Sequence, residues 1–467
     1  MLFDKVLQRF VDRSPVTVMM RGVTEYAFPP ERLDELFREH AQKQYQDELL
    51  FSSMVNVLAL AVTGSRRSVN AAYESCKEEL GVSVAALYDK LQGTETQVSQ
   101  ALVRETAARL QPLVKRMKGE TPALLPGYRV LILDGNHLAA TERRVAETRR
   151  LHSVPLPGQC LVLLDPRTRL MVDVFPCEDA HAQERSLLPQ VVAMLQADDL
   201  IIADRNFCAG QFVRDIREKQ ASFLIRQHAS TLPRKRLIGK RVKVGETETG
   251  VVFEQTLEIR YSNKPGQQVI RLRRITLKLH EPTRDGEKEI HLVTNVEGVD
   301  AVRLVELYRR RWTIENAFQE LDQALQSEIN TLCYPKAALL AFCVAVATYN
   351  VLSVLKAAIR VAHRDPALVE ELSGYYLSEE IAATYGGMMI AVPADQWTHT
   401  FARLDIAELA TALVDIARRV DVKRFRKRKR AAQRPQPART GGYPDKHVST
   451  ARLIAQRKHH KDRAMTA

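Results

Sequence analysis

The chain has 467 residues, 45% apolar and 27% charged, which excludes a peptide-like scaffold, a wholly disordered chain and a fibrous one, and gives room for roughly two to four structural units. Its six cysteines (Cys76, Cys160, Cys177, Cys208, Cys333, Cys343) include no CxxC pair and no His at ligand spacing, so neither a zinc knuckle nor a disulfide framework is expected. The formal charge is +13, but from Arg418 onward 17 Lys/Arg face three Asp, a net of +14, so the first 417 residues carry −1 between them.

Residues 1–120 read as an all-helical region, with helical apolar spacing over Leu49–Val62 and Ala101–Met117. Within it, Val82–Leu91 is similar to the second half of a helix-turn-helix, with a plain packing helix as the equal alternative. From 128 the pattern changes to short apolar runs bounded by turn residues: Tyr128–Leu133, Cys160–Leu164, Leu170–Phe175, Leu200–Ala203 and Ser222–Ile225. Helical patterns at about His181–Gln196 and Gly210–Lys219 separate the last three. That order suits an α/β core with a mixed sheet, for which a ribonuclease-H-like fold is one candidate. Residues 229–286 turn basic and alternating, with turn signals at Asn263-Lys264-Pro265-Gly266 and Arg284-Asp285-Gly286, and read as an inserted antiparallel β unit. Glu289–Val296 returns as a strand, Val302–Ser327 reads as one long helix, and Ala337–His363 as a helix apolar nearly all round. The expected division is thus 1–120, 121–363, a helical 364–417 and a basic, partly disordered 418–467 with a short helix near Thr450–Lys458. The N-terminus is charged throughout and the longest apolar run, Ala337–Ala347, falls short of a bilayer span, so a cytoplasmic chain with no membrane segment is expected.

Three strands end in an aspartate: Asp134, Asp165 and Asp204. The first two strands of a meander are antiparallel, which sends Asp165 to the opposite edge in a Pro turn; it is set aside. A strand arriving after a crossover helix can lie parallel to the first and bring Asp204 beside Asp134, two carboxylates suited to hard divalent cations. On the long helix, Tyr308, Arg311 and Glu315 share one face, either a phosphate-gripping stripe or a solvated surface with Glu315 simply paired to Arg311.

Asp134-Gly-Asn-His, Asp204-Arg-Asn-Phe-Cys and Tyr308-x-x-Arg311-x-x-x-Glu315 together resemble the DDE transposases of the insertion-sequence 4 family, with their Y-R-E-K signature, over roughly residues 120–360. The preceding Leu292-Val293-Thr294-Asn295 also looks like that family, and the gap from Asp204 to Glu315 suits its inserted β unit. The resemblance implies a ribonuclease-H-like core in which Asp134, Asp204 and Glu315 hold two Mg²⁺, with Mn²⁺ able to substitute. It further implies that Tyr308 and Arg311 contact backbone phosphate and that the chemistry is phosphodiester hydrolysis followed by strand transfer. One position departs: the signature Lys falls on Asp322. In some relatives the inserted unit carries a Trp that stacks on a flipped base, whereas 229–286 offers only Phe253 and Tyr261, and base stacking is assigned to neither. His137 and His181 are given no role. The run Lys423, Arg424, Arg426, Lys427, Arg428 is expected to make non-specific DNA contacts, a solubilising tail being the alternative, with recognition of the element's ends left to residues 1–120. The expected partner is double-stranded DNA, bound by a homodimer, on a nucleoid-associated protein. The competing readings are a non-catalytic DNA-binding protein of transposase origin and a nuclease that cuts without joining.

Overall fold

Among the described residues, seven helices occupy the N-terminal quarter: α1 (Lys5–Arg13), α2 (Pro15–Ala27), α3 (Pro30–His40), α4 (Phe51–Val62), α5 (Val69–Leu80), α6 (Val84–Gly93) and α7 (Thr96–Arg116). The computed structural model describes residues 5–43, 48–141, 145–149, 153–228, 230–232, 234–260, 269–283, 286–428 and 447–466. Ser68 and Ser83 cap α5 and α6 by accepting from the amides of Ala71 and Ala86, and Gly81 ends α5 in the left-handed region at φ +69°. Val82–Leu91 therefore comprises the end of the short turn after α5 and most of α6.

The next segment builds the sheet from β1 (Arg129–His137), β2 (Val154–Leu156), β3 (Gln159–Asp165), β4 (Leu170–Cys177), α8 (Leu188–Met194), β5 (Asp199–Ala203), α9 (Gly210–Glu218), β6 (Ser222–Arg226), β7 (Arg236–Thr247), β8 (Gly250–Arg260), β9 (Val269–Leu279) and β10 (Glu289–Thr294). Nine strands lie in the order β4-β3-β1-β5-β6-β10-β9-β8-β7. β1, β5 and β6 are parallel to one another, and the flanks are antiparallel. Side chains alternate across each strand, so Val130 and Ile132 of β1 join one core while Leu131 and Leu133 join another with α8 and α9. Both faces being covered, these strands read as continuous apolar runs. The inserted unit differs from a free-standing subdomain: β9 pairs with β8 on one side and β10 on the other, and β10 pairs with β6, which makes one continuous sheet. Of its predicted turns, Asn263-Lys264-Pro265-Gly266 and Arg284-Asp285 lie outside the described residues, as does Tyr261.

The expected single helix Val302–Ser327 is two, α10 (Ala301–Arg309) and α11 (Trp312–Ala324). Between them the amides of Arg310, Arg311, Thr313 and Ile314 donate to carbonyls three residues back, a 3-10 turn in place of the α ladder. α12 (Pro335–His363) is long and apolar enough to cross a membrane by length and composition, yet 94% of its most apolar stretch is buried inside the protein, against α7, β4 and the N-terminal helices. The chain continues through α13 (Leu368–Glu371), α14 (Gly374–Ala391), α15 (Ala394–Trp397), α16 (Ile406–Ala417), α17 (Val422–Phe425), β11 (His447–Ser449) and α18 (Thr450–Thr466). β11 pairs in parallel with β2, so the C-terminal segment returns to the core.

Where the inserted unit joins the sheet, His291 of β10 accepts or donates a hydrogen bond with Thr276 at 3.0 Å and faces Arg274, Arg241, Arg226 and Glu289. Burial first, then the three arginines, push it down to about 4, against the partial opposition of Glu289. Below its unfolded value of about 6.5 the unfolded chain takes a proton that the folded one refuses until about pH 4. Its contribution is therefore complete above pH 6.5 and lost progressively toward pH 4. Asp173, pushed up to about 6 chiefly by burial, acts in the opposite sense over the same range, so the difference between wild type and His291→Gln isolates the histidine. His291→Gln is expected to flatten the acid decline of the unfolding free energy by about 1–2 kcal/mol after solvent screening, read as a shallower fall of the melting temperature. Parallel curves for the two proteins between pH 7 and pH 4 would contradict it.

Candidate active site

β1 and β5 run parallel with Leu133 opposite Ala203, the last pair of that ladder, so the next residues, Asp134 within β1 and Asp204 just past β5, stand at the same sheet edge. This is the edge where parallel α/β sheets place ligands. Asp134 accepts from the amide of Gly135 at 2.9 Å. Asp204 accepts from the amide of Asn206 at 2.8 Å and caps the short turn Arg205–Phe207. Asp165 lies at the other edge, accepting from the Arg167 amide and the Thr168 hydroxyl, each at 2.8 Å, as a turn residue does.

The 3-10 turn between α10 and α11 brings the helical residues to this edge. Arg311 donates to Asp134 Oδ2 at 3.1 Å and, from its other terminal nitrogen, to Glu315 Oε1 at 2.5 Å. Its side chain is 14% exposed. Of the two sequence readings for Arg311, pairing with Glu315 is what the structure contains, extended to Asp134. Tyr308, in the last turn of α10, is half-buried near Asp204 and Arg311, and its partial desolvation pushes its phenol up to about 12. Burial likewise pushes Asp134 up to about 6, with Asp204 and Glu315 adding repulsion and Arg311 and the Gly135 amide opposing. Carboxylates so crowded need a cation, and the guanidinium between two of them now fills that place.

Among the described residues no group of three or more His, Cys, Asp or Glu side chains is gathered closely enough to hold a metal ion. The two-ion cage expected from sequence is therefore not formed in this arrangement, because Arg311 separates Asp134 from Glu315. The donor chemistry still fits a hard divalent cation: oxygen ligands only, mutually repelling, and already neutralised by a positive group.

Two further side chains border the site. Glu184, in the turn before α8, accepts from the Asn206 side-chain amide and lies against Gly135, where a Cβ would collide with its carboxylate. His137 Nδ1 stands 4.0 Å from Glu184 Oε1. No sequence signal marks Glu184, which sits fifty residues from Asp134 and reaches it only through the fold. Trp312 is 60% exposed beside Arg311, 5.5 Å from ring centroid to guanidinium carbon. A large exposed aromatic is the signal that could have singled it out, but exposure is not legible in sequence. Asp322 is exposed on α11.

The basic segment is not a loose tail at its start. Arg424 pairs with Glu380 at 3.2 Å, Arg426 with Asp365 at 2.6 Å and with Glu371, and Arg428 lies over the Tyr376 ring. Lys423, Lys427 and Arg428 are exposed. The correction has an electrostatic reason: the near-neutral body places acids of α13 and α14 under the first cations. Lys429 and Arg430 lie outside the described residues. Further on, Arg452 pairs with Asp179 at 2.7 Å and donates to the carbonyl of His181, and Arg457 pairs with Glu147 at 2.8 Å.

No curated protein matches the chain. Residues 125–351, just under half of the chain and spanning Asp134, Asp204, Tyr308, Arg311 and Glu315, match the family model of the transposase DDE domain, which supports a DDE transposase.

Proposed function

We propose that the protein is a transposase of the insertion-sequence 4, Y-R-E-K type that cuts DNA at the ends of its own element and joins them to a target. The observation that carries this reading is the placement of Asp134 and Asp204 on adjacent parallel strands with Glu315 tied to Asp134 through Arg311. Asp134, Asp204 and Glu315 would hold Mg²⁺ or Mn²⁺, two ions per site. Held there, the ions would supply activation of water or a 3′-hydroxyl and stabilisation of the leaving oxygen in an in-line phosphoryl displacement.

The chain's own groups do the rest. A DNA phosphate can replace Asp134 and Glu315 as the partner of Arg311, since a guanidinium binds either anion through the same fork. That exchange frees both carboxylates as the scissile strand arrives. Tyr308 keeps its proton at neutral pH and so donates a hydrogen bond to phosphate oxygen rather than repelling it. Trp312 offers a face on which a base beside the cut can stack. The segment Lys423, Lys427 and Arg428 adds sequence-independent backbone contacts, residues 1–120 read the ends, and two copies meet on the paired ends.

A pre-cut element end with a free 3′-hydroxyl, incubated with Mg²⁺ and a supercoiled target plasmid, is expected to become covalently joined to the target. Hydrolysis without joining would identify a nuclease, and binding without either reaction a non-catalytic DNA-binding protein.

A further inference from the structure

A second surface of the same helix carries a different chemistry. Between α11, α12, α14 and the docked residues 427–428 lies a cavity of about 760 Å³. Five cations line it (Arg169, Lys356, Arg360, Lys427, Arg428) against two carboxylates, Glu320 and Glu370. Lys356 and Arg360 stand one turn apart on the mostly buried α12. Lys356 pairs with Glu320, Arg169 pairs with Glu370, and Arg360 donates to the carbonyl of Gly119. These contacts exhaust the two acids, and Lys427 and Arg428 then bring two more positive charges to the rim. Burial holds the Lys356 ammonium below its ordinary value, Glu320 opposes that, and Lys427 and Arg169 add to the lowering. Such crowding of like charge in a partly desolvated cleft is unfavourable unless an anion enters.

The rim is fixed. The Ser373 amide donates to the Phe425 carbonyl at 2.8 Å, the Lys427 amide donates to the Glu371 carbonyl at 2.7 Å, and Arg426 is anchored by Asp365 and Glu371. Lys427 is therefore held at the mouth by backbone pairing, and Arg428 beside it lies over the Tyr376 ring. Tyr375, 45% exposed, and Tyr376, whose ring lies under Arg428, supply aromatic surface. Thr313, Asn316 and Gln319 of α11 supply polar groups on the wall, on the same helix as Glu315.

We propose that this cavity is a binding track for the phosphate backbone of a single DNA strand, leading away from the carboxylate edge around α11. A positive groove with aromatic rings at its mouth is the arrangement that takes single strands without reading sequence. The proposal rests on the DNA reading above and adds to it a site outside the carboxylate edge.

The test measures binding of a short fluorescent single-stranded oligonucleotide to the full chain by anisotropy, in EDTA. No cutting occurs under these conditions, so failure of the cutting reading leaves the assay intact. Lys427→Glu with Arg428→Glu, both exposed, is compared with Arg217→Glu with Lys219→Glu at the C-terminal end of α9, the same charge change elsewhere. The groove pair is expected to weaken binding about tenfold or more and to make the salt dependence shallower by about 1.4 in log–log slope, while the α9 pair changes affinity less than about twofold. No loss in the groove pair, or equal loss in both, overturns the proposal. So does displacement of the strand by inorganic tripolyphosphate as effective, phosphate for phosphate, as unlabelled strand, which would assign the cavity to a small polyphosphate. As an independent readout, an oligonucleotide carrying a photoreactive thymine is expected to crosslink to the peptide holding Tyr375 and Tyr376. Crosslinking only to other peptides overturns it.

Discussion

Glu315→Gln is expected to lower Mg²⁺-dependent cutting of a plasmid carrying the element's ends by about a thousandfold or more, while binding of those ends falls less than about threefold. The substitution keeps the length and hydrogen-bonding shape of the side chain and removes only its charge. In the protein free of DNA, Arg311 retains Asp134 at 3.1 Å, so the turn between α10 and α11 keeps its anchor and the fold is not at risk. What is lost is one of three anionic oxygen donors, and a neutral amide is a poor ligand for a hard cation. A second readout separates this from a structural effect. Mn²⁺ is expected to raise the melting temperature of the wild type and to do so far less in the variant. A variant that cuts as fast as the wild type would remove Glu315 from the site altogether.

Asn350→Leu is expected to destabilise the protein by about 2–4 kcal/mol, read as a lowered unfolding midpoint. Asn350 is fully buried on α12, and its amide takes both backbone groups of Met171: the oxygen accepts from the amide at 2.8 Å and the nitrogen donates to the carbonyl at 2.9 Å. Met171 is on β4, the edge strand of the sheet, beside the register shift at Leu163/Leu164. An edge strand turns backbone groups outward with no neighbouring strand to receive them, and here they face the interior. Leucine fills the same space and leaves both unpaired. Thr348→Val serves as the control. The Thr348 hydroxyl bonds only back to the Val344 carbonyl of its own helix, at 2.8 Å, and its loss is expected to cost less than about 1 kcal/mol. Equal effects from the two substitutions would show that the Met171 pairing contributes little.

The two predictions depend on parts of the chain that differ in how readable they are. Runs such as Leu131-Ile132-Leu133 and Leu200–Ala203 announce strands buried on both faces, because no alternation survives when both faces are covered. The crossover through α8 then requires β5 to lie parallel to β1, and that topology alone sends Asp134 and Asp204 to one edge. The α12 segment, apolar all round, declares a buried helix in the same way. Asn350 gives no such sign, since a lone Asn in an apolar helix says nothing of which edge strand it will meet.

What the amino-acid sequence determined by itself were the local periodicities, the strand-end acids, the order of elements in the core and the concentration of positive charge after Arg418, each set by residues close together in the chain. Only the tertiary structure decided that Arg311 stands between Asp134 and Glu315, that Glu184 lies against Gly135, that the inserted strands continue the core sheet through β10, and that Arg424 and Arg426 dock on acids of α13 and α14. The physical reason is common to all four. Each is a pairing of a charge, a carboxylate or a strand edge with a partner remote in sequence. A periodicity reports which way a side chain faces, but the partner it meets there depends on the packing of the whole chain.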